Sequence, residues 1–383
     1  MKTSSLSSSS RSIPRCFSLP WLWILIQFTI SLCCAAATHP NTAVVIWGSY
    51  GTYTIPDLTN AVAIAAGGTA GLALTEDGEV SAFPLGPPDS LIIDYLPPGL
   101  SNIVMISAGD DHGFALGANG AVTSWGAIED TNTPAGLTNF LSVDCGWGSN
   151  LGLLADGNVA VWGYHYIDTN YPPDLTNVVD ISAGHRHFAA LRGDGTVISW
   201  GYTNLGSTLV PPGLSNVTAI SCGAYHTLAL QRDGGVVAWG SPASITNTPL
   251  EASNVVAIAA GYHQNLALRS DGRVVTWGSA PVSVSEFSNV MAIAGGNSFI
   301  VALISSDPPW PVPELTRPRL QSGSFQTEIR AFRGRRYFLE QTTDLSTNVW
   351  DTSPGVAGSD QTHQFSAPSG TTGQKFLRLR SQQ

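Results

Sequence analysis

Between Thr38 and Ile304 the chain has no lysine and only five arginines, against 20 Asp and Glu, a net charge of −15. That sign repels a phosphate backbone, so nucleic-acid binding is not expected of this stretch. Charged residues are scarce overall, at 11%, but 43% of the chain is hydrophobic, enough for a core rather than for disorder. Long apolar runs are scarce too. The one candidate, 17–32, contains Pro20 and is shorter than the roughly 20 residues a membrane-spanning helix needs. Lys2, Arg11 and Arg15 precede it and Ala35, Ala36 and Ala37 follow, the order of a secretory signal cut after Ala37. Export is therefore expected. A lipid anchor on Cys33 or Cys34 is the alternative, opposed by Leu32 where a small residue is needed.

Cysteine is nearly absent once that leader is removed, leaving Cys145 and Cys222. Two cysteines in an exported chain admit a disulfide. Their settings, Asp144-Cys145-Gly146 and Ser221-Cys222-Gly223, repeat one slot in two units, which favours a small buried residue instead. Catalytic signatures are missing as well: no Gly-x-Ser-x-Gly, no His-Glu-x-x-His and no phosphate loop. Asp110-Asp111 and Glu129-Asp130 are adjacent acids, which does not place two carboxylates across a substrate. No catalytic residue, no cofactor and no enzyme activity are expected.

What is abundant is repetition. Trp47-Gly48, Trp125-Gly126, Trp162-Gly163, Trp200-Gly201, Trp239-Gly240 and Trp277-Gly278 recur, the last four steps being 37, 38, 39 and 38 residues. The gap of 78 from Trp47 to Trp125 is two steps, with Phe83-Pro84 at its middle as a decayed copy. A fixed period means one small unit repeated. The clearest unit runs from Asn254 to Gly278 and reads as three strands: one ending at Gly261, one ending at the Asp271-Gly272 turn, and one ending at Trp277-Gly278. The turn recurs at Asp77-Gly78, Asn119-Gly120, Asp156-Gly157, Asp194-Gly195 and Asp233-Gly234. Strands apolar on successive positions, such as Val274-Val275, are covered on both faces, as in stacked blades. Connectors carrying Pro97-Pro98, Pro172-Pro173 and Pro211-Pro212 lie outside the sheets.

The ends complete one another. The chain opens with a lone third strand, Ala43 to Gly48, and closes with a first and second, Ser288 to Leu303. The reading is all-β: a closed seven-bladed propeller of mostly three-stranded blades, its ring joined by terminal strands so that no edge stays open. The domain plan is 1–37 signal, 38–304 propeller, 305–320 Pro-rich linker, and 321–383 a small β-sandwich-like module with strand-like alternation around Tyr337–Leu345 and Phe376–Arg380.

The pattern Asn-Val-x-x-Ile-x-Ala-Gly-x-x-His-x-x-Ala-Leu-x-x-Asp-Gly-x-Val-x-x-Trp-Gly resembles the regulator-of-chromosome-condensation repeat, over residues 43–303. The short period and three-strand blades are most similar to the secreted β-lactamase inhibitor protein II type. The resemblance implies a propeller, and a binding role through loops that in the inhibitor hold its partner enzyme. Inhibition of a β-lactamase is not implied. A small-GTPase exchange role is not expected either, since the connectors are too short for the protruding wedge of the eukaryotic relative.

Strand direction places the first-to-second loops and the segments after Trp-Gly on one rim, with the Asp-Gly turns opposite. Trp147, Tyr225 and Tyr262 fall in those loops; Tyr50, Tyr53, Tyr164, Tyr166 and Tyr202 follow Trp-Gly; Tyr95 and Tyr171 lie in connectors. Asp110, Asp111, His185, Arg186 and His263 join the same rim. Aromatics with a few charges make a protein-binding hot spot. The competing reading is that they only cover connector backbone.

His112, His187 and His226 share a slot that elsewhere holds Ala70, Ser149, Gln264 and Phe299, so no metal is expected there. In the repeat family such a His ties a loop to backbone. The expected partner is an extracellular or periplasmic protein, with no small GTPase and no nucleic acid. The alternative is a glycan-binding or envelope-scaffold protein using the C-terminal module, where Arg330, Arg333, Arg335 and Arg336 cluster.

Overall fold

The computed structural model describes residues 42–305, except 49–50, 86–89, 128–130, 132, 135, 164–171, 173–174, 203–204 and 280–287, together with the backbone of strands between 316 and 382. The chain divides into two compact units, Met1–Thr38 and His39–Gln383. The first, with the expected leader, lies outside the described residues.

Each repeat folds as the sequence dictates. In the unit at 254–278, Val255–Ala260, Gln264–Arg269 and Val274–Gly278 form an antiparallel sheet. The turn between the last two places Gly272 at φ +78°, which glycine adopts without steric cost. Asp271 precedes it because its carboxylate accepts the N–H of Arg273 at 3.2 Å. Asp156, Asp194 and Asp233 do the same at 3.0, 2.9 and 2.9 Å. The asparagine ahead of six of the seven first strands (102, 139, 177, 216, 254 and 289) sits at φ between 53° and 64°, a region Asn tolerates better than most residues.

Six three-stranded sheets begin at Ala61–Ala66, Ile103–Ala108, Phe140–Cys145, Val178–Ala183, Val217–Cys222 and Val255–Ala260, here sheets 1 to 6. Sheet 7 joins both ends of the repeat region. Thr42–Gly48 pairs along its length with Phe299–Ser305, which pairs in turn with Val290–Gly295. It has a fourth strand that sequence reading does not anticipate: Gly51–Ile55 folds back on Thr42–Gly48, with Gly48 opposite Gly51.

Sheets stack face to face through apolar clusters. Leu151 and Leu153 of sheet 3 pack with Phe188 and Trp200 of sheet 4; Leu228 of sheet 5 packs with Trp277 of sheet 6. Leu266 of sheet 6 meets Ile300 of sheet 7, and Val301 of sheet 7 meets Ala73 and Phe83 of sheet 1. The six Trp-Gly tryptophans are all buried, as is Phe83 in the decayed copy. Gly71 is required opposite that ring, since a Cβ there would lie 2.2 Å from Phe83. Cys145 and Cys222 are free and buried, in keeping with the small-residue reading.

Beyond residue 315, Thr316–Gln321, Ser324–Arg330 and Thr362–Pro368 form one antiparallel sheet. Arg336–Thr342 pairs with Asp351–Thr352, Val356–Ala357 and Phe376–Gln382. The first of these strands starts inside the stretch read as linker. Its register shifts between Thr316 and Arg319, across Pro318, which has no N–H to donate.

Candidate functional site

The first strand of every sheet lines one cavity of about 360 Å³. At its mouth stands the residue after each first-strand glycine: Gly68, Asp110, Trp147, His185, Ala224, Tyr262 and Asn297. Backbone bonds fix these loops to their neighbours, Gly68 N–H to Gly109 O at 3.1 Å, His185 N–H to Gly223 O at 3.3 Å, and Tyr262 N–H to Gly296 O at 3.0 Å. The segments after Trp-Gly join the same rim: Ala127, Tyr202, Ser241 and Ser279 donate to the carbonyls of Asp111, Arg186, Tyr225 and His263.

Five rings from sheets 3, 4, 5 and 6 meet there. Trp147 lies 3.9 Å from His185 and 4.8 Å from Tyr262 between centroids, the second pair edge to face at 82°. Tyr225 lies 5.5 Å from His185 and 6.0 Å from Tyr262, and His263 stands 4.4 Å from Tyr262. The Trp147 indole N–H donates to the Asp110 carboxylate across the mouth. These rings are half-buried. Burial, then Arg186, pull the His185 imidazole down to about 4, so it is a neutral ring near pH 7. Burial first, then the neighbouring Tyr225 hydroxyl, hold the Tyr262 phenol above its ordinary value.

Of the other residues expected on this rim, Arg186 stacks over the exposed Tyr202 ring at 5.6 Å, a second and smaller contact. Asp111 serves through its carbonyl, which accepts from Ala127. Tyr164 and Tyr166 lie outside the described residues, as do Tyr50 and Tyr171. Tyr53 sits on the added strand and donates to Pro84 O at 3.1 Å.

The histidine slot proves to be an inter-sheet clamp. His112 Nε2 meets Asn150 at 2.6 Å, His187 Nε2 meets Thr227 at 2.9 Å and His226 Nε2 meets Asn265 at 2.6 Å, each partner lying on the next sheet. The expected backbone tie is present at His187, which also bonds the backbone of His226, and at Gln264, which donates to Gly296 O and Phe299 O. Burial lowers His187 to about 3 and His226 to about 4. Among the described residues no group of three His, Cys, Asp or Glu is placed to hold a metal.

Sequence reading missed the polar wall of the cavity. Asp144 accepts hydrogen bonds from Ser107 Oγ at 3.0 Å, Ser182 Oγ at 3.2 Å and the N–H groups of Ala183 and Cys145 at 2.8 and 3.1 Å. Burial dominates and pushes its carboxyl up to about 6. The available signal was an acid in a strand position where other repeats carry Ala or Ser.

Three stretches, 178–206, 217–244 and 255–280, match the model of the regulator of chromosome condensation (RCC1) repeat. No curated protein matches the chain in sequence. Solved structures match in fold. Prp20p from Saccharomyces cerevisiae superposes with a TM-score of 0.56 at 17% identity, over 70% of this chain and 93% of that one. The CRINKLY WD40 ectodomain of the Arabidopsis thaliana receptor kinase ACR4 gives 0.53 at 22%, over 65% and 99%. Human WBSCR16 gives 0.56 at 16%, over 70% and 100%. The fold is thus similar to that of RCC1-like propellers: seven antiparallel sheets, of which sheets 4, 5 and 6 lie in the stretches that match the RCC1 repeat. The partner expectation does not stand. Prp20p binds the small GTPase Gsp1p and histones, so this architecture gives no ground for excluding either, and no similarity points to an extracellular or periplasmic partner.

Proposed function

We propose that the seven sheets close into a ring through the sheet joining Thr42–Gly48 to Phe299–Ser305, and that the mouth bearing Trp147, Tyr225 and Tyr262 binds a protein. The aromatic cluster carries this reading. Five rings from four sheets converge where alanine or glycine, as at Ala224 and Gly68, would complete the loop. Large, half-covered rings with Asp110 and Arg186 beside them are the makeup of a binding hot spot. The net charge of −15 over 38–304 favours a basic partner. The histones bound by Prp20p are basic and serve as an available probe. The narrower likeness to the β-lactamase inhibitor protein II type rests on the short repeat period and the three-strand blades.

The test is retention. The wild-type chain and a Trp147→Ala, Tyr262→Ala double variant are immobilised side by side and challenged with core histones and a native extract. A protein held by the first and released by the second supports the reading. Equal retention overturns it, as does a wild type that retains nothing. Export is a separate proposal from residues 1–37, checked by mass spectrometry of the mature N-terminus; a product that keeps Met1 contradicts it.

A further inference from the structure

The cavity behind the aromatic mouth is chemically one-sided. Two positions before the first-strand glycine, sheets 2 to 5 carry Ser107, Asp144, Ser182 and Ser221, all of which line it. Sheets 6, 7 and 1 carry Ala259, Ala294 and Ala65 there. Asp180 and Ser142 extend the polar arc deeper along sheets 4 and 3. None of the described lining residues is Lys or Arg.

The Asp144 carboxylate on this wall lacks the counter-charge that a cationic ligand would supply. Every donor reaching Asp144 is neutral: two hydroxyls and two backbone amides. Its charge is thus solvated by dipoles but not neutralised, with Asp180 adding a second negative charge nearby. Ser142, on the same strand two residues before Asp144, is 3% exposed and lines the cavity beside it. At the entrance, Trp147 and Tyr262 present ring surface, which attracts cations electrostatically. Arg186, the cation at this rim, stacks on Tyr202.

We propose that the cavity receives one guanidinium or alkylammonium group on an unbranched chain, passing the rings of Trp147 and Tyr262 and ending between Asp144 and Ser142. Assigning that group to an Arg or Lys side chain of the bound protein rests on the protein-binding reading above; the cavity's preference for a cation does not.

The test is a calorimetric titration of the full chain with three probes: agmatine, a capped Gly-Arg-Gly peptide, and the same peptide with citrulline for arginine. Citrulline keeps the shape and removes the charge. The arginine peptide is expected to bind at least tenfold more tightly than the citrulline peptide. Asp144→Asn is expected to weaken it at least tenfold, and Ser142→Ala severalfold without lowering Tm. Equal affinity for the two peptides, or no binding of agmatine and the arginine peptide, overturns the proposal on the unmodified protein, whether or not Asp144→Asn folds. Undiminished affinity in a folded Asp144→Asn overturns it too. A peptide tighter than agmatine assigns the cation to a protein side chain. The reverse order supports a free amine ligand and removes the link to protein binding. If the cationic probes fail while the double variant at the mouth still loses its protein partner, the cation proposal falls and the protein-binding reading stands.

Discussion

Trp277 shows what a single repeated residue does here. Its ring packs between Leu228 on sheet 5 and Ala267 on its own sheet, and its indole N–H donates to Ile245 O at 2.7 Å. Removing it empties a large volume and leaves the Ile245 carbonyl with one donor, the Asn265 amide, instead of two, so Trp277→Ala should cost roughly 3–5 kcal/mol in denaturant unfolding. A loss under about 1 kcal/mol would mean the ring is not core. The clamp histidines give a second prediction. His187 and His226 titrate in the fold at about 3 and about 4, below the ordinary 6.5. As pH falls below about 6.5 the unfolded chain takes up their protons first, so their stability contribution is whole above that value and lost on the way to pH 4. Asp144, raised to about 6, runs the opposite way: its contribution is whole below 3.8 and lost as pH rises through 6. His226→Gln, copying Gln264, should therefore flatten the acid limb of the Tm–pH curve measured by calorimetry. An acid limb as steep as that of the wild type would contradict this account.

At the scale of the strand, the pairing of Thr42–Gly48 with Phe299–Ser305 is the element on which the proposed closure rests. Seven register pairs join the two, and Val44, Ile46 and Val301 share one core cluster with sheet 1. Deleting 43–48 should lower Tm far more than losing a frayed terminus, because it exposes that cluster and leaves Phe299–Ser305 as an open edge. A Tm unchanged by calorimetry would mean the ring does not close there. This split unit was legible in the sequence because Trp-Gly and Asp-Gly mark strand ends. The added strand Gly51–Ile55 was not, because it follows no repeat pattern and lies exposed. The histidine slot was half legible: substitution by Phe299 and Ala70 showed a structural role, but its partners Asn150, Thr227 and Asn265 lie one repeat onward, and sequence spacing does not reveal such contacts.

Across the whole molecule, the grouping of the aromatic side chains was readable and the cavity was not. Strand direction alone places Trp147, Tyr225, Tyr262, His185 and His263 on one rim, and the structure brings their rings together. It could not show that Arg186 turns to Tyr202, nor that Asp144 faces inward between two serines, because both depend on how neighbouring sheets lean together. The Asp-Gly turns on the opposite rim form a control surface, with Arg269 held to Asp271 at 3.4 Å. The most direct measurement of the central claim is therefore a paired alanine scan of both rims against one retained partner, read as Kd. Trp147→Ala, Tyr225→Ala and Tyr262→Ala should each cost about 2 kcal/mol or more, roughly thirtyfold in affinity, while Arg232→Ala and Arg269→Ala leave Kd unchanged. Affinity lost at the two arginines and kept at the three aromatics would place binding on the wrong rim and contradict the account.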